Sequence, residues 1–186
     1  ASMFAPNLYA GEVAYTDYCI GQVIQKLKEL DLYDSTLIII TSDHGEMLGE
    51  HGEPTHTYFI YESAIKVPLV FRVPGLNKAV RIEQLAGLID IVPTVCSLLD
   101  IEPPAAAAGV DLSACFGGRE LSAERELYCE SLQATTYGAN SLLGIVTDRF
   151  KYIQTTRPEL YDLIEDPKES NNLIGQQPDR GRILKD

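Results

Sequence analysis

The segment Leu37-Ile38-Ile39-Ile40-Thr41-Ser42-Asp43-His44-Gly45-Glu46 joins a short apolar run to a group of polar side chains. The run is rich in β-branched residues and does not alternate with polar ones, a pattern typical of a strand buried on both faces of a parallel sheet. In open α/β sheets, ligands bind outside the carboxyl ends of the strands. We therefore expect Asp43 and His44 to lie where chemistry takes place.

The residues around this segment predict an α/β protein. Apolar residues recur at spacings of three and four from about Glu12 to Leu30 and predict a helix. A second apolar strand is predicted at 67–71, and a further helix from Asp90, as its N-cap, to Leu99. Short strands follow at 126–131, 142–147 and 150–155, with 160–163 near the sheet edge. We expect a mostly parallel sheet within residues 1–110 and a small C-terminal antiparallel α+β subdomain within residues 111–186.

The composition is that of a globular protein and argues against several classes of partner. The chain has 186 residues, of which 45% are hydrophobic, and 27 acidic against 15 basic residues give a net charge of -12. Such an acidic chain is poorly suited to a phosphate backbone, so we expect no nucleic-acid partner. The run Leu37–Ile40 is far shorter than the ~20 residues of a spanning helix, so we expect no membrane segment in this chain.

The compartment is left open by the sequence. Residues 1–6 show no basic region followed by an apolar stretch, so no signal peptide is expected in this chain. The cysteines are scattered without a CxxC pair, and we expect them to be small core residues: Cys19, Cys96, Cys115 and Cys129.

Asp43 and His44 are candidate metal ligands. A carboxylate beside an imidazole offers a hard oxygen and a borderline nitrogen to a divalent ion, and Gly45 lets the backbone turn sharply after them. Alternatively, Asp43 caps a helix that begins at His44, and His44 is incidental. The residue types alone leave both interpretations open.

All three histidines of the chain fall within thirteen positions, which points to a site. His56 is a candidate to donate to an anionic oxygen or to protonate a leaving group. His51 is interpreted as a loop residue that bonds a carbonyl. The neighbouring acids Glu46, Glu50 and Glu53 are assigned mostly to loop hydrogen bonding and solvent. No nucleophile motif is present.

At this point the residues match a known family. The segment Thr41–Gly52 resembles the late metal-binding motif of sulfatases, which belong to the alkaline phosphatase superfamily. Further segments are similar to sulfatase segments and occur in the same order: 15–21, 34–38, 61–69, 90–94, 151–153, 159–163 and 166–173. The chain is identified by this resemblance as a member of the sulfatase family, which implies an alkaline phosphatase-like α/β sandwich.

The resemblance also implies roles for single residues. Asp43 and His44 match the family's later pair of metal ligands, and the metal is usually Ca²⁺, with Zn²⁺ or Mn²⁺ as alternatives. His56 stands where many sulfatases carry a lysine that contacts the sulfate ester. Phosphoethanolamine transferases of the same superfamily also have a histidine at this spacing. They, and phosphodiesterases or phosphonate hydrolases, are therefore the alternative, although the C-terminal signature favours a sulfatase.

One part of the family pattern has no counterpart here. Sulfatases carry an early aspartate pair and a Cys/Ser-x-Pro-x-Arg motif that is converted to formylglycine, and none of the four cysteines has that context. We therefore expect a C-terminal fragment that is inactive alone, from a protein that hydrolyses sulfate esters. If the chain is complete, a non-catalytic module is the alternative.

The resemblance also sets expectations about partners and location. The implied partner is a small-molecule or carbohydrate sulfate ester. A dimer through an exposed sheet edge is a further expectation. Sulfatases are often exported, periplasmic or lysosomal, and the sequence does not place this chain among these locations.

Overall fold

The computed structural model describes residues 7–121 and 124–185. The chain groups into two compact units, the first formed by Ala1–Ile40 with Leu69–Ala79 and the second by Thr41–Pro68 with Val80–Asp186. The α-helices are α1 (Leu8–Glu29), α2 (Glu62–Ile65), α3 (Ile91–Leu98) and α4 (Pro178–Lys185). The strands are β1 (Ile38–Thr41), β2 (Leu69–Arg72), β3 (Glu126–Ser131), β4 (Leu142–Thr147), β5 (Phe150–Gln154) and β6 (Glu159–Asp162). The predicted division at residue 110 stays a prediction.

In the first unit, α1 precedes a two-stranded sheet of β1 and β2. The helix begins four residues earlier than predicted because Asn7 caps it, its Oδ1 accepting from the Ala10 N–H at 2.9 Å. The Arg72 guanidinium on β2 donates to the carbonyls of Tyr33 and Thr36, which ties β2 to the turn before β1. These hydrogen bonds help to hold this unit together.

The expectation that β1 is buried on both faces is wrong for this structure. Its first three residues are only partly buried, Thr41 is exposed, and no residue of α1 is buried. The physical reason is that a two-stranded sheet and one helix provide too little surface to cover both faces of a strand. Cys19 on α1 is exposed for the same reason, so it is not the core residue we expected. The mostly parallel sheet stays a prediction.

The second unit contains a four-stranded antiparallel sheet in the order β3-β4-β5-β6. This confirms the predicted C-terminal antiparallel sheet; the bounds of β3 and β4 match those predicted, and β5 ends one residue earlier. Gly144 on β4 faces Cys129 on β3, and a Cβ at Gly144 would lie 2.8 Å from the cysteine Sγ and 2.9 Å from Ile60 Cδ1. The glycine therefore lets the residue 60 segment pack directly against the sheet.

Two apolar clusters form the core of this unit. One joins the segment around α2 to the sheet through Met47, Ile60, Tyr61, Ala64, Ile153 and Tyr161. The other packs the C-terminal segment on the sheet through Phe150, Tyr152 and Leu160, with Leu173, Ile174 and Leu184 against them. Beside the first cluster lies a buried ionic group, in which Lys151 Nζ is 3.0 Å from Glu169 and 3.3 Å from Glu62.

Asp90 stands at the N-cap of α3 as predicted, but its side chain does not cap that helix. The fully buried carboxylate accepts instead from the N–H groups of Gly87 and Val110, both at 2.8 Å, and forms two bonds with the Arg125 guanidinium. It ties the start of α3 to two distant chain segments. In the described ranges, no helix is long and apolar enough to cross a membrane.

Candidate metal and histidine site

The loop that follows β1 carries the predicted site residues within the second unit. Its backbone runs close to α2, because the Gly45 N–H donates to the Ala64 carbonyl at 2.7 Å. A Cβ at Gly45 would lie 2.2 Å from the Ser63 carbonyl oxygen, so only glycine fits there. The glycine at position 45 thus has a packing cause, and its backbone is not in the left-handed region.

Asp43 presents an ionised, accessible carboxylate. Its side chain is 86% exposed, and its Oδ1 accepts from the His44 N–H at 3.0 Å. Hydrogen bonds from its own N–H and then the nearby His44 imidazole hold the pKa of Asp43 below its usual range. The second oxygen, Oδ2, lies 3.7 Å from His44 Nε2. Asp43 does not cap a helix, since the structure has no helix beginning at His44.

The His44 ring is oriented by its own loop. Its Nδ1 lies 2.9 Å from the Gly45 carbonyl oxygen, and because a carbonyl can only accept, Nδ1 carries the proton. In the neutral form of the ring, the lone pair is then on Nε2, which lies 3.7 Å from Asp43 Oδ2. Metal-binding histidines commonly donate their other ring N–H to a carbonyl in this way.

His56 stacks on His44 and is held by Glu46. The two imidazole rings lie 3.9 Å apart between centroids with an interplanar angle of 21°. His56 Nδ1 is 3.0 Å from Glu46 Oε2. Nδ1 therefore donates to the carboxylate, and the other ring nitrogen, Nε2, is not used in this bond. A donation from Nε2 to a ligand therefore requires the ring to carry both protons, with Glu46 as the counter-charge.

The turn that carries His56 is built around Glu53. This carboxylate is buried and accepts from three successive N–H groups, at 2.6 Å from Thr57, 2.7 Å from Tyr58 and 2.9 Å from Phe59. The loop role predicted for Glu53 is thus confirmed. The Glu50 carboxylate accepts from the Leu48 N–H, which likewise confirms a loop role for that residue.

His51 is a structural residue, as interpreted from the sequence. Its Nε2 lies 3.2 Å from the Lys168 carbonyl oxygen, and its ring stacks on Tyr61 at 3.6 Å. The C-terminal segment thereby contacts the histidine loop.

Sequence reasoning misses the role of Glu46. The sequence assigns this residue to loop bonding and solvent, whereas the structure pairs it with His56 ten residues later. No periodic pattern links positions in an irregular loop. The available signal is a carboxylate and a histidine within one short, Gly-containing stretch.

The comparison with family models matches residues 5–101 to the model described as Sulfatase, which is just over half of the chain. The chain belongs to the sulfatase family. This confirms the resemblance, and the matched range includes Asp43, His44, Glu46 and His56.

Curated relatives agree with this assignment. Arylsulfatase K of Mus musculus is 29% identical over 181 residues, which cover 92% of this chain and 32% of that protein. The ulvan-active sulfatase of Formosa agariphila is 29% identical over 175 residues, covering 90% of this chain and 34% of that protein. The chain therefore spans about a third of the length of these relatives.

Solved structures show that the fold is sulfatase-like and α/β. BT4656 in complex with its substrate D-glucosamine-2-N,6-O-disulfate superimposes with a TM-score of 0.75 at 28% identity, over 93% of this chain and 37% of that chain. The phosphonate monoester hydrolase of Agrobacterium radiobacter gives a TM-score of 0.79 at 28% identity, over 94% of this chain and 38% of that chain.

The donor set fits part of the metal shell that the family implies. Asp43 supplies an ionised oxygen, and His44 supplies an Nε2 lone pair at 3.7 Å from it. Among residues 7–121 and 124–185, no group of three or more histidine, cysteine or acidic side chains could hold a metal. Asp43 and His44 alone are too few ligands for a stable divalent site.

Proposed function

We propose that this chain is the C-terminal part of a metal-dependent sulfatase that hydrolyses sulfate esters. The observation that carries the proposal is the cluster of Asp43, His44, His56 and Glu46, which lies within the segment matched by the family model. Apolar packing does not require such a set of titratable groups on an exposed loop. A non-catalytic module would have no use for it.

The residues of this cluster have two separate roles, one in binding a cation and one in binding the sulfate ester. Asp43 and His44 would bind a divalent ion through Oδ2 and Nε2, with Ca²⁺ as the first candidate and Zn²⁺ or Mn²⁺ as the others. Such an ion supplies positive charge that stabilises the developing negative charge on the sulfate.

His56 would donate from Nε2 to a sulfate oxygen or to the departing alcohol oxygen. Glu46 fixes the ring through Nδ1 and balances the charge of the doubly protonated form. Removing an electrostatic contact of this kind costs on the order of a hundredfold in rate.

The nucleophile would come from outside this chain. A formylglycine, formed from a Cys/Ser-x-Pro-x-Arg motif in a preceding segment, is the group that the family uses. Because this chain has no such motif, we expect it to hydrolyse nothing by itself.

Phosphonate monoester hydrolysis is the second candidate. It is favoured by the similarity to the phosphonate monoester hydrolase of Agrobacterium radiobacter. The histidine at position 56, in place of the lysine of many sulfatases, is also compatible with phosphoryl chemistry. Phosphoethanolamine transfer stays the more distant alternative.

The test is hydrolysis by the protein translated from the complete reading frame that contains this chain. We expect 4-nitrophenyl sulfate to be hydrolysed in preference to a 4-nitrophenyl phosphonate monoester. We also expect His56→Ala to lower kcat about a hundredfold, whereas His51→Ala, a change in the same loop, acts mainly on stability. Preferential hydrolysis of the phosphonate would contradict the sulfatase assignment, as would full activity of His56→Ala.

A further inference from the structure

A buried ion pair contacts α2, the helix to which the candidate site loop is bonded. Lys151 on β5 is 0% exposed and Glu169 in the C-terminal segment is 2% exposed, and Lys151 Nζ lies 3.0 Å from Glu169 Oε1. The other oxygen, Oε2, accepts from the N–H of Glu62, the first residue of α2, at 2.6 Å. One carboxylate thus joins α2 to both the C-terminal segment and the sheet.

The same helix fixes the backbone of the candidate site. The Gly45 N–H donates to the Ala64 carbonyl, and the Gly45 carbonyl accepts from His44 Nδ1 at 2.9 Å. Gly45 therefore links α2 directly to the His44 ring. Because α2 has only four residues, its own hydrogen bonds are too few to keep it in place, so its position depends on contacts with other segments.

The C-terminal segment contacts the histidine loop at a second point. The Lys168 carbonyl oxygen lies 3.2 Å from His51 Nε2. Glu169 and His51 both have left-handed backbones, with φ angles of 53° and 52°. A residue with a side chain adopts this conformation at a cost and keeps it only where its surroundings hold it, as is common near functional sites.

A buried ion pair is a costly way to stabilise a fold. Desolvation offsets much of the attraction between the charges, and apolar residues of similar volume often stabilise a protein equally well. Burial raises the pKa of Glu169 above its usual range despite the nearby Lys151, so the carboxylate itself bears this cost. Apolar side chains, however, cannot accept a backbone N–H, and Glu169 does so at the start of α2.

We propose that Glu169, with Lys151 as its counter-charge, is a positioning residue that fixes the Asp43–Gly45 loop through α2. The carboxylate acts through the backbone of α2 and is not itself a catalytic group. This inference rests on the proposed function, and it adds that the C-terminal segment sets the geometry of the candidate site. Loss of the hydrogen bond to Glu62 loosens α2 and, through it, the loop.

The test compares two double variants of this chain, both of which lack the buried charges. Lys151→Met with Glu169→Gln keeps an oxygen that can accept from the Glu62 N–H. Lys151→Met with Glu169→Leu has a side chain of similar volume but no acceptor. We expect the Gly45 amide to exchange with deuterium about fivefold faster with Glu169→Leu than with Glu169→Gln, the usual effect of one hydrogen bond.

Two further NMR measurements separate positioning from a general loss of stability. The buried Leu112 N–H, which donates to Thr94 Oγ1 at 2.9 Å, should exchange at the same rate in both double variants. The His44 ring signals should keep their wild-type positions with Glu169→Gln and shift with Glu169→Leu. These measurements need neither a metal nor a substrate, so failure of this inference is distinguishable from failure of the sulfatase assignment, which the hydrolysis assay tests.

The wild-type chain gives a check that requires no variant to fold. Because one opening of α2 would expose both groups, the Glu62 and Gly45 amides should be protected from exchange to the same degree. A difference in protection of more than about tenfold between them would overturn the inference, since tenfold already corresponds to about 1.4 kcal/mol. So would equal Gly45 exchange in the two double variants, equal acceleration of Gly45 and Leu112, or unchanged His44 ring signals with Glu169→Leu.

Discussion

Glu53 is expected to be the most sensitive single position in the histidine loop. It is only 3% exposed, and its two oxygens accept three backbone N–H groups within 2.6–2.9 Å. The substitution Glu53→Gln keeps the shape of the side chain but replaces one carboxylate oxygen with an NH₂ group. That change separates the role of the charge from the role of the volume.

The magnitude follows from the contacts. With its amide oxygen at the Oε1 position, the substituted side chain would still accept from Thr57 and Tyr58, but its NH₂ would face the Phe59 N–H, a donor against a donor. A hydrogen bond to a charged group contributes about 1.5–3 kcal/mol, and a buried donor left without an acceptor costs about 1–3 kcal/mol. We therefore expect the free energy of unfolding to fall by about 3 kcal/mol.

The assay is urea denaturation, with Glu50→Gln as the matched control. Glu50 lies in the same loop and also accepts a backbone N–H, from Leu48, but it is exposed, so its change should lower stability much less than Glu53→Gln does. NMR signals of the His56 ring should shift in Glu53→Gln and stay in place in Glu50→Gln. Equal losses of stability in the two variants would refute the idea that the buried carboxylate shapes this turn.

Three further predictions concern packing and buried charge in the second unit. Gly45→Ala should lower the free energy of unfolding by about 2 kcal/mol or more, because the new Cβ would lie 2.2 Å from the Ser63 carbonyl oxygen. The control is Gly117→Ala, because the space around Gly117 is open. Equal melting temperatures of the two variants would contradict the prediction. Asp90→Asn should cost about 3 kcal/mol at neutral pH, because it breaks a buried pair with Arg125. Burial raises the pKa of Asp90, but the bonds from Arg125 and two backbone N–H groups outweigh it and lower the pKa overall. The stabilisation by ionised Asp90 is therefore complete above its pKa in the unfolded chain, about 3.9, and is lost as the pH falls through its lower pKa in the folded protein. The difference in the free energy of unfolding between wild type and Asp90→Asn should therefore shrink in acid. A difference independent of pH would contradict this prediction. Lys151→Met should cost about 3 kcal/mol, because it leaves the buried Glu169 carboxylate without its cation, whereas the partly buried Glu62 keeps Lys66 at 3.6 Å. Adding Glu169→Gln should recover part of the loss in urea denaturation, and strictly additive losses would contradict the buried Lys151–Glu169 pair.

The elements of the chain were largely predictable from local patterns. The strands at 126–131 and 142–147 have the bounds that the sequence predicts. The spacing of apolar residues does not predict the start of α1, because Asn7 sets that boundary by a hydrogen bond. The pattern also predicts too much burial for β1, because an apolar run shows which residues can be buried but not which elements pack on them.

The candidate site was predictable in its residue types but not in its contacts. Asp43 and His44 stand out by their position after a strand, and the resemblance added roles for them and for His56. The pairing of Glu46 with His56 was not predictable, because a loop has no period that relates two positions. The aromatic contact between Tyr58 and Tyr137 depends on two segments 79 positions apart along the chain, which only the folded structure brings together.

The most direct test of the account is a titration of this chain with Mn²⁺, monitored by the broadening of amide signals. The account predicts selective broadening around Asp43 and His44 that excess Ca²⁺ reverses. Asp43→Asn should abolish this broadening, and Asp100→Asn, at an exposed position after α3, should keep it. Broadening spread over the acidic surface and unchanged by Asp43→Asn would contradict the claim that this loop is half of a metal site.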